Sequence, residues 1–159
     1  MQELILMRHA AALPVAIDGS DFERPLSAPG RAAALQAARR LAANCAGIER
    51  VLFSPARRTR ETAAIVAQEL ALDTALLHAV PELYAATPRA IRAAIVRDHA
   101  NAAVLLIVGH NPGLSEFGSQ LISRRSRDHL PTAGFWRLPF DASGWQALTR
   151  SAGATAHTG

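Results

Sequence analysis

The stretch Leu4-Ile5-Leu6-Met7-Arg8-His9-Ala10-Ala11-Ala12 governs the reading of this chain. Four consecutive apolar residues without polar alternation do not fit a strand with one wet face, which would expose every second side chain. They are also too few for a helix of their own. They predict a short strand covered on both sides, as in a parallel sheet flanked by helices. The run ends abruptly at Arg8 and His9. A guanidinium beside an imidazole at the end of a buried strand is either a solvated cap or the floor of a site.

Further along, short apolar runs alternate with amphipathic stretches, which predicts an α/β fold: a mostly parallel sheet with helices on both faces. Residues 11–28 read as a loop, with Pro14, Asp18, Gly19, Ser20, Asp21 and Pro25. A helix is expected from Pro29 to about Ala46, capped by Ser27, with Leu35, Ala38, Leu41, Ala42 and Cys45 on its inner face, and stopped by Gly47. Val51–Phe53 gives a second strand, and residues 57–71 a helix with Thr62, Ile65, Val66 and Leu70 inward. Leu76, Leu77 and Val80 suggest a weaker strand leading into Pro81-Glu82. Thr87-Pro88 opens another helix, with Ile91, Ala94 and Ile95 buried. Val104–Val108 is the clearest strand. It breaks at Gly109-His110-Asn111-Pro112-Gly113, after which a helix runs to about Ile122. Residues 123–131 read as an exposed loop, and Gly134–Phe140 with Trp145–Thr149 as a closing strand pair around a turn at Asp141–Gly144. Residues 1–150 are expected to form one domain and residues 151–159 a frayed tail.

All 17 basic residues are arginine, so the net charge of +4 persists to high pH. No aromatic residues interleave with a basic stripe, which argues against a nucleic-acid surface. No apolar run has the length of a membrane span, and the N-terminus lacks the features of a signal peptide. The single cysteine, Cys45, excludes an internal disulfide and suits a cytoplasmic protein.

The chemistry sits at strand ends. Arg8-His9 follows the first strand, Ser54 with Arg57 and Arg58 the second, and His110 the last. In open parallel sheets ligands bind just beyond the carboxyl ends of the strands, so these residues are expected to converge. Arginine forks grip phosphate oxygens in pairs, and helix N-termini near Ser54 and Gly109 would add N–H donors. A neutral imidazole there can attack phosphorus directly. The histidines lack metal-ligand spacing, and the scheme needs no cofactor. Arg57 and Arg60 are expected to be solvated or paired with Glu61, Ser54 to serve as a helix cap, and Trp136 and Trp145 to pack in the core or at its rim.

Arg-His after the first strand, Ser54-Pro55-x-x-Arg58-Thr59-x-x-Thr62-Ala63 after the second and Gly109-His110-Asn111-Pro112-Gly113 after the last resemble the histidine phosphatase superfamily, of phosphoglycerate-mutase-like fold. Arg24-Pro25-Leu26-Ser27-x-x-Gly30 and Pro81-Glu82-Leu83 resemble its SixA branch, the phosphohistidine phosphatases. The resemblance implies a three-layer α/β/α fold without a cap domain and a metal-independent phosphatase. His9 would be the nucleophile, Arg8 and Arg58 the phosphoryl clamp, and His110 a second, cationic pocket histidine. Arg24 and Asn111 are further candidates for binding substrate, and Glu82 for general acid. Ala10 stands where the common form has glycine, which raises the question of a positive φ. The implied substrate is a phosphohistidine on a signalling or phosphotransfer protein. A small phosphomonoester is the alternative, and a binding module with weak turnover a third reading.

Overall fold

The computed structural model describes residues 2–45, 47–122 and 129–150. The expected tail at 151–159 and most of the expected loop at 123–131 lie outside the described residues. The chain forms β1 (Gln2–Arg8), α1 (Ala28–Asn44), β2 (Arg50–Phe53), α2 (Arg57–Glu69), β3 (Leu77–Ala79), α3 (Pro88–Asp98), β4 (Val104–Gly109), α4 (Gly113–Leu121), β5 (Phe135–Phe140) and α5 (Ala142–Thr149). The sheet order is β3-β2-β4-β1-β5, with β5 antiparallel to β1 and the other pairings parallel.

The uniform apolarity of β1 has the expected cause. Leu4 and Leu6 pack on one face with Leu52, Leu105 and Ile107 beneath residues of α3, α4 and α5. Ile5 and Met7 pack on the other with Val51, Leu106 and Val108 against residues of α1 and α2. Alternate side chains point to opposite faces, and both faces are dry.

Two expectations about packing change. The buried face of α1 is Gly30, Ala34, Ala37, Ala38 and Leu41, while Ala42 is exposed and Leu35 half-buried. Small residues allow a close approach: a Cβ at Gly30 would overlap the Ala11 carbonyl oxygen. The expected strand over Trp145–Thr149 is instead the helix α5, capped by Asp141, whose carboxylate accepts the Gly144 N–H at 2.6 Å. Trp145 and Leu148 are both buried, and a spacing of three puts them on one side only in a helix.

Gly113 has the same role on the opposite face as Gly30. A Cβ there would overlap the Ala86 carbonyl oxygen, and the adjoining Ala85 lines the cleft described below. Gly113→Ala is expected to cost about 1–3 kcal/mol through forced backbone movement. Urea unfolding of the variant checks this.

Candidate active site

Strand register alone brings the polar strand ends together. Arg8 pairs with Gly109 between β1 and β4. The His9 N–H donates to the Gly109 carbonyl at 3.1 Å and the Ser54 N–H to the Val108 carbonyl at 3.2 Å. Ser54, His110 and His9 therefore leave three adjacent strands side by side. His9 and His110 border a cleft of about 420 Å³ whose walls also include Arg8, Asp21, Arg24, Arg58, Tyr84 and Asn111.

His9 is buried, and its Nδ1 lies 2.7 Å from the Ala10 carbonyl oxygen. A carbonyl only accepts, so Nδ1 carries the hydrogen and Nε2 keeps its lone pair. Burial lowers the His9 pKa, the Ala10 hydrogen bond raises it, and the charges of Arg58 and Arg8 lower it again; the result is about 4. The ring is neutral at pH 7. Ala10 keeps a negative φ, so this turn does not require glycine. Its N–H donates to the Thr62 hydroxyl on α2 at 3.1 Å, which ties the turn to the neighbouring helix.

His110 is oriented from both sides. Its Nδ1 lies 3.3 Å from Arg58 Nη2, which can only donate, so Nδ1 accepts and Nε2 carries the hydrogen. That Nε2–H donates to Ser54 Oγ at 2.7 Å. Burial, followed by the neighbouring His9 and Arg58, pushes the His110 pKa down to about 3. The expected cationic His110 is thus corrected for the free site, where desolvation and adjacent positive charge hold it neutral. Ser54 is also more than the expected cap. Ala56 occupies the N-cap position of α2, and the buried Ser54 hydroxyl orients His110.

Arg58 is buried, whereas Arg57 turns outward to Glu61 at 2.9 Å. Arg58 Nη1 donates to the Asp21 carbonyl at 2.7 Å and Nη2 to Asp21 Oδ2 at 3.1 Å. Arg8 Nη1 donates to the Leu130 carbonyl at 3.1 Å. The Nε atoms of Arg8 and Arg58 are buried without a hydrogen-bond partner, as are Arg50 Nε and His78 Nε2 on β2 and β3. Unspent donors on two cleft arginines suit an anion.

Asp21 and Tyr84 were not singled out as site residues by the sequence. Asp21 Oδ2 accepts the Tyr84 hydroxyl at 2.7 Å, and Oδ1 accepts Arg24 Nε at 2.9 Å. The Tyr84 hydrogen bond, with Arg24 and Arg58, holds the Asp21 carboxyl at about 2 despite its partial desolvation. The only sequence signal was an acidic residue three places before Arg24.

Arg24 lines the cleft, steadied by Asp21 and by the Leu13 carbonyl at 3.1 Å. Asn111 also lines it, but its amide is spent on structure. Nδ2 donates to the Leu130 carbonyl at 2.9 Å and Oδ1 accepts the Ser115 hydroxyl at 2.6 Å. Leu130 is itself buried, correcting its place in an exposed loop: it seals the core, and its carbonyl anchors Arg8. Glu82 is not among the cleft residues. It is exposed, and Arg97 Nη1 and Nη2 hold it at 2.7 and 3.2 Å. The Arg97 hydrogen bonds lower its pKa, whereas a general acid at neutral pH needs a raised one. The expectation for Glu82 is therefore corrected.

The family model of the histidine phosphatase superfamily (branch 1) matches residues 4–103. The chain belongs to that superfamily. This histidine phosphatase is 33% identical over 138 residues to the uncharacterized protein Rv1276c of Mycobacterium tuberculosis, covering 80% of the chain and 83% of that protein. It is similar in structure to the protein histidine phosphatase SixA complexed with tungstate, with a TM-score of 0.78, 26% identity and coverage of 89% of this chain and 90% of the other. A candidate phosphohistidine phosphatase SixA from Nakamurella multipartitia gives a TM-score of 0.73 at 30% identity, covering 86% and 83% of the two chains. Among the described residues no cap domain is inserted: only residues 84–87 separate the turn at Pro81–Leu83 from α3. Among the described residues no helix is long and apolar enough to cross a membrane.

The two pocket histidines make the stability of this phosphatase pH-dependent. Their folded pKa values lie below the ordinary 6.5, so the unfolded chain binds more protons in that window. Their contribution is fully present above about pH 6.5 and is lost as pH falls toward 4 for His9 and 3 for His110. Urea unfolding is expected to show a lower midpoint at pH 5 than at pH 7.5, by on the order of a few kcal/mol in stability.

Proposed function

We propose that this phosphatase removes phosphate from phosphohistidine on a signalling or phosphotransfer protein, through a phosphorylated His9. The supporting observation is the kind of group that lines the cleft. Among the described residues there, none is poised to protonate a leaving group. Asp21 is held as a carboxylate, and its proximity raises the Tyr84 hydroxyl above its usual range. His110 spends its one ring hydrogen on Ser54, and Glu82 is outside. Such a site suits a leaving group that brings its own proton, and a phosphorylated imidazole does so near neutral pH. The capless cleft also suits a side chain presented by another protein.

In this scheme His9 Nε2 attacks phosphorus, forming one P–N bond as the donor's P–N bond breaks. The bonding electron pair passes to the departing ring nitrogen and neutralises the donor imidazolium. Arg8 and Arg58 offset the charge on the transferring oxygens. Water then attacks phospho-His9: the P–N bond breaks, its electron pair returns to Nε2, and the water oxygen with both its protons leaves as dihydrogen phosphate. Because Nε2 must be unprotonated, kcat/KM is expected to hold through pH 6 and to fall only as pH approaches about 4. A pH–rate profile checks this.

Glu82→Gln is expected to leave kcat/KM within about twofold, since neither charge nor proton of Glu82 enters this scheme. Steady-state kinetics check that. The proposal as a whole is tested with a histidine-phosphorylated phosphotransfer protein against a panel of small phosphomonoesters. Faster turnover of the phosphoprotein is expected; a preference for the monoesters would overturn the reading.

A further inference from the structure

Resting on the phosphohistidine reading, we infer that Asp21, oriented by Tyr84, is a specificity-determining residue that favours a substrate whose phosphorylated ring is a cation before the P–N bond breaks. Phosphoryl displacement runs in line, so the leaving group departs on the side opposite the attacking nitrogen. His9 is on the buried floor of the cleft, only 9% exposed, and the departing group therefore faces the mouth. There the Asp21 side chain is 54% exposed, and it is the one carboxylate among the described lining residues.

A carboxylate beside a phosphate site repels the incoming dianion and competes for its clamp. Asp21 does both, because it occupies Arg58 Nη2 and Arg24 Nε in the free site. That cost has an offset only when the rest of the substrate is positive. An N-phosphoimidazole protonated on its other nitrogen meets this condition, whereas an alcohol or phenol leaving group is neutral or becomes anionic. The aromatic setting agrees. The Tyr84 ring packs edge-on to His110 at 5.6 Å and to Phe22 at 5.2 Å. Its hydroxyl is fixed by Asp21, so one wall of the mouth presents a carboxylate next to an aromatic ring.

The test is a ratio of kcat/KM values for free N-phosphohistidine and p-nitrophenyl phosphate. Asp21→Asn is expected to lower that ratio by about fivefold, the scale of a half-exposed charge pair, by slowing the first substrate while sparing or improving the second. Asp21→Glu, which keeps the charge, is expected to retain the wild-type ratio. Tyr84→Phe releases the carboxylate without removing it and is expected to shift the ratio the same way by less; it carries the test should Asp21→Asn fail to fold. An unchanged ratio in Asp21→Asn, with both substrates slowed alike, would show that Asp21 merely positions Arg58 and Arg24. Wild-type preference for the phosphoester would instead defeat the phosphohistidine reading itself, so the two failures are distinguishable.

Discussion

Replacing His9 by alanine is expected to remove the covalent phosphoenzyme and to lower kcat by about a thousandfold or more. The expectation rests on a single nitrogen. Nδ1 is committed to the Ala10 carbonyl, which leaves Nε2 with a lone pair in a cleft lined by Arg8, Arg24 and Arg58. His110 cannot substitute for it, because its Nδ1 faces Arg58 and its Nε2 faces Ser54. Incubation with 32P-labelled substrate followed by quenching in alkali should retain label on the wild type and none on His9→Ala. Acid should then release the label. Label retained by the variant would place the nucleophile elsewhere.

Arg58→Lys is expected to reduce kcat/KM by about 100- to 1,000-fold while keeping the formal charge. The guanidinium reaches the Asp21 carbonyl, the Asp21 carboxylate and His110 Nδ1 at once. An ammonium is a point charge and lacks the planar fork that spans such partners and two phosphoryl oxygens together. The loss should appear in oxyanion affinity as well as in turnover, and tungstate inhibition separates the two. Thermal unfolding is a needed control, since Arg58 is buried at the start of α2. Near-wild-type kinetics in Arg58→Lys would remove the clamp from the mechanism.

The parts of the site legible in the sequence are those attached to buried strands. An apolar run that stops at a charge marks where a strand leaves the core, and the parallel sheet gathers such ends on one edge. Arg8, His9, Arg58 and His110 are legible that way, whereas Ser54 reads as a helix cap and its role in orienting His110 comes from the fold. Arg57 and Arg58 were separable by motif spacing, and the helix turns one to Glu61 and the other into the cleft. Asp21 was invisible because it lies in the long segment between β1 and α1, where no periodicity fixes direction. Its place follows from contacts across 37 residues to Arg58 and 63 residues to Tyr84. Glu82 failed for the related reason that its partner, Arg97, is supplied by α3.

The alanine-rich helix α1 marks another limit. With alanine on nearly every side, apolarity offers little contrast, and the closeness of Gly30 to Ala11 settles which face turns inward. The Trp145 region reads as a strand paired across a turn at Asp141–Gly144, whereas Asp141 instead caps a helix that buries Trp145 and Leu148.

The sequence by itself determined the layered α/β plan and pointed to the arginines and histidines of the cleft, because burial on both faces of a strand and its sudden end are local facts. The tertiary structure decided which protons those histidines carry and where Asp21 and Glu82 point. Those outcomes depend on carbonyls, hydroxyls and guanidinium groups that meet only after distant segments have packed.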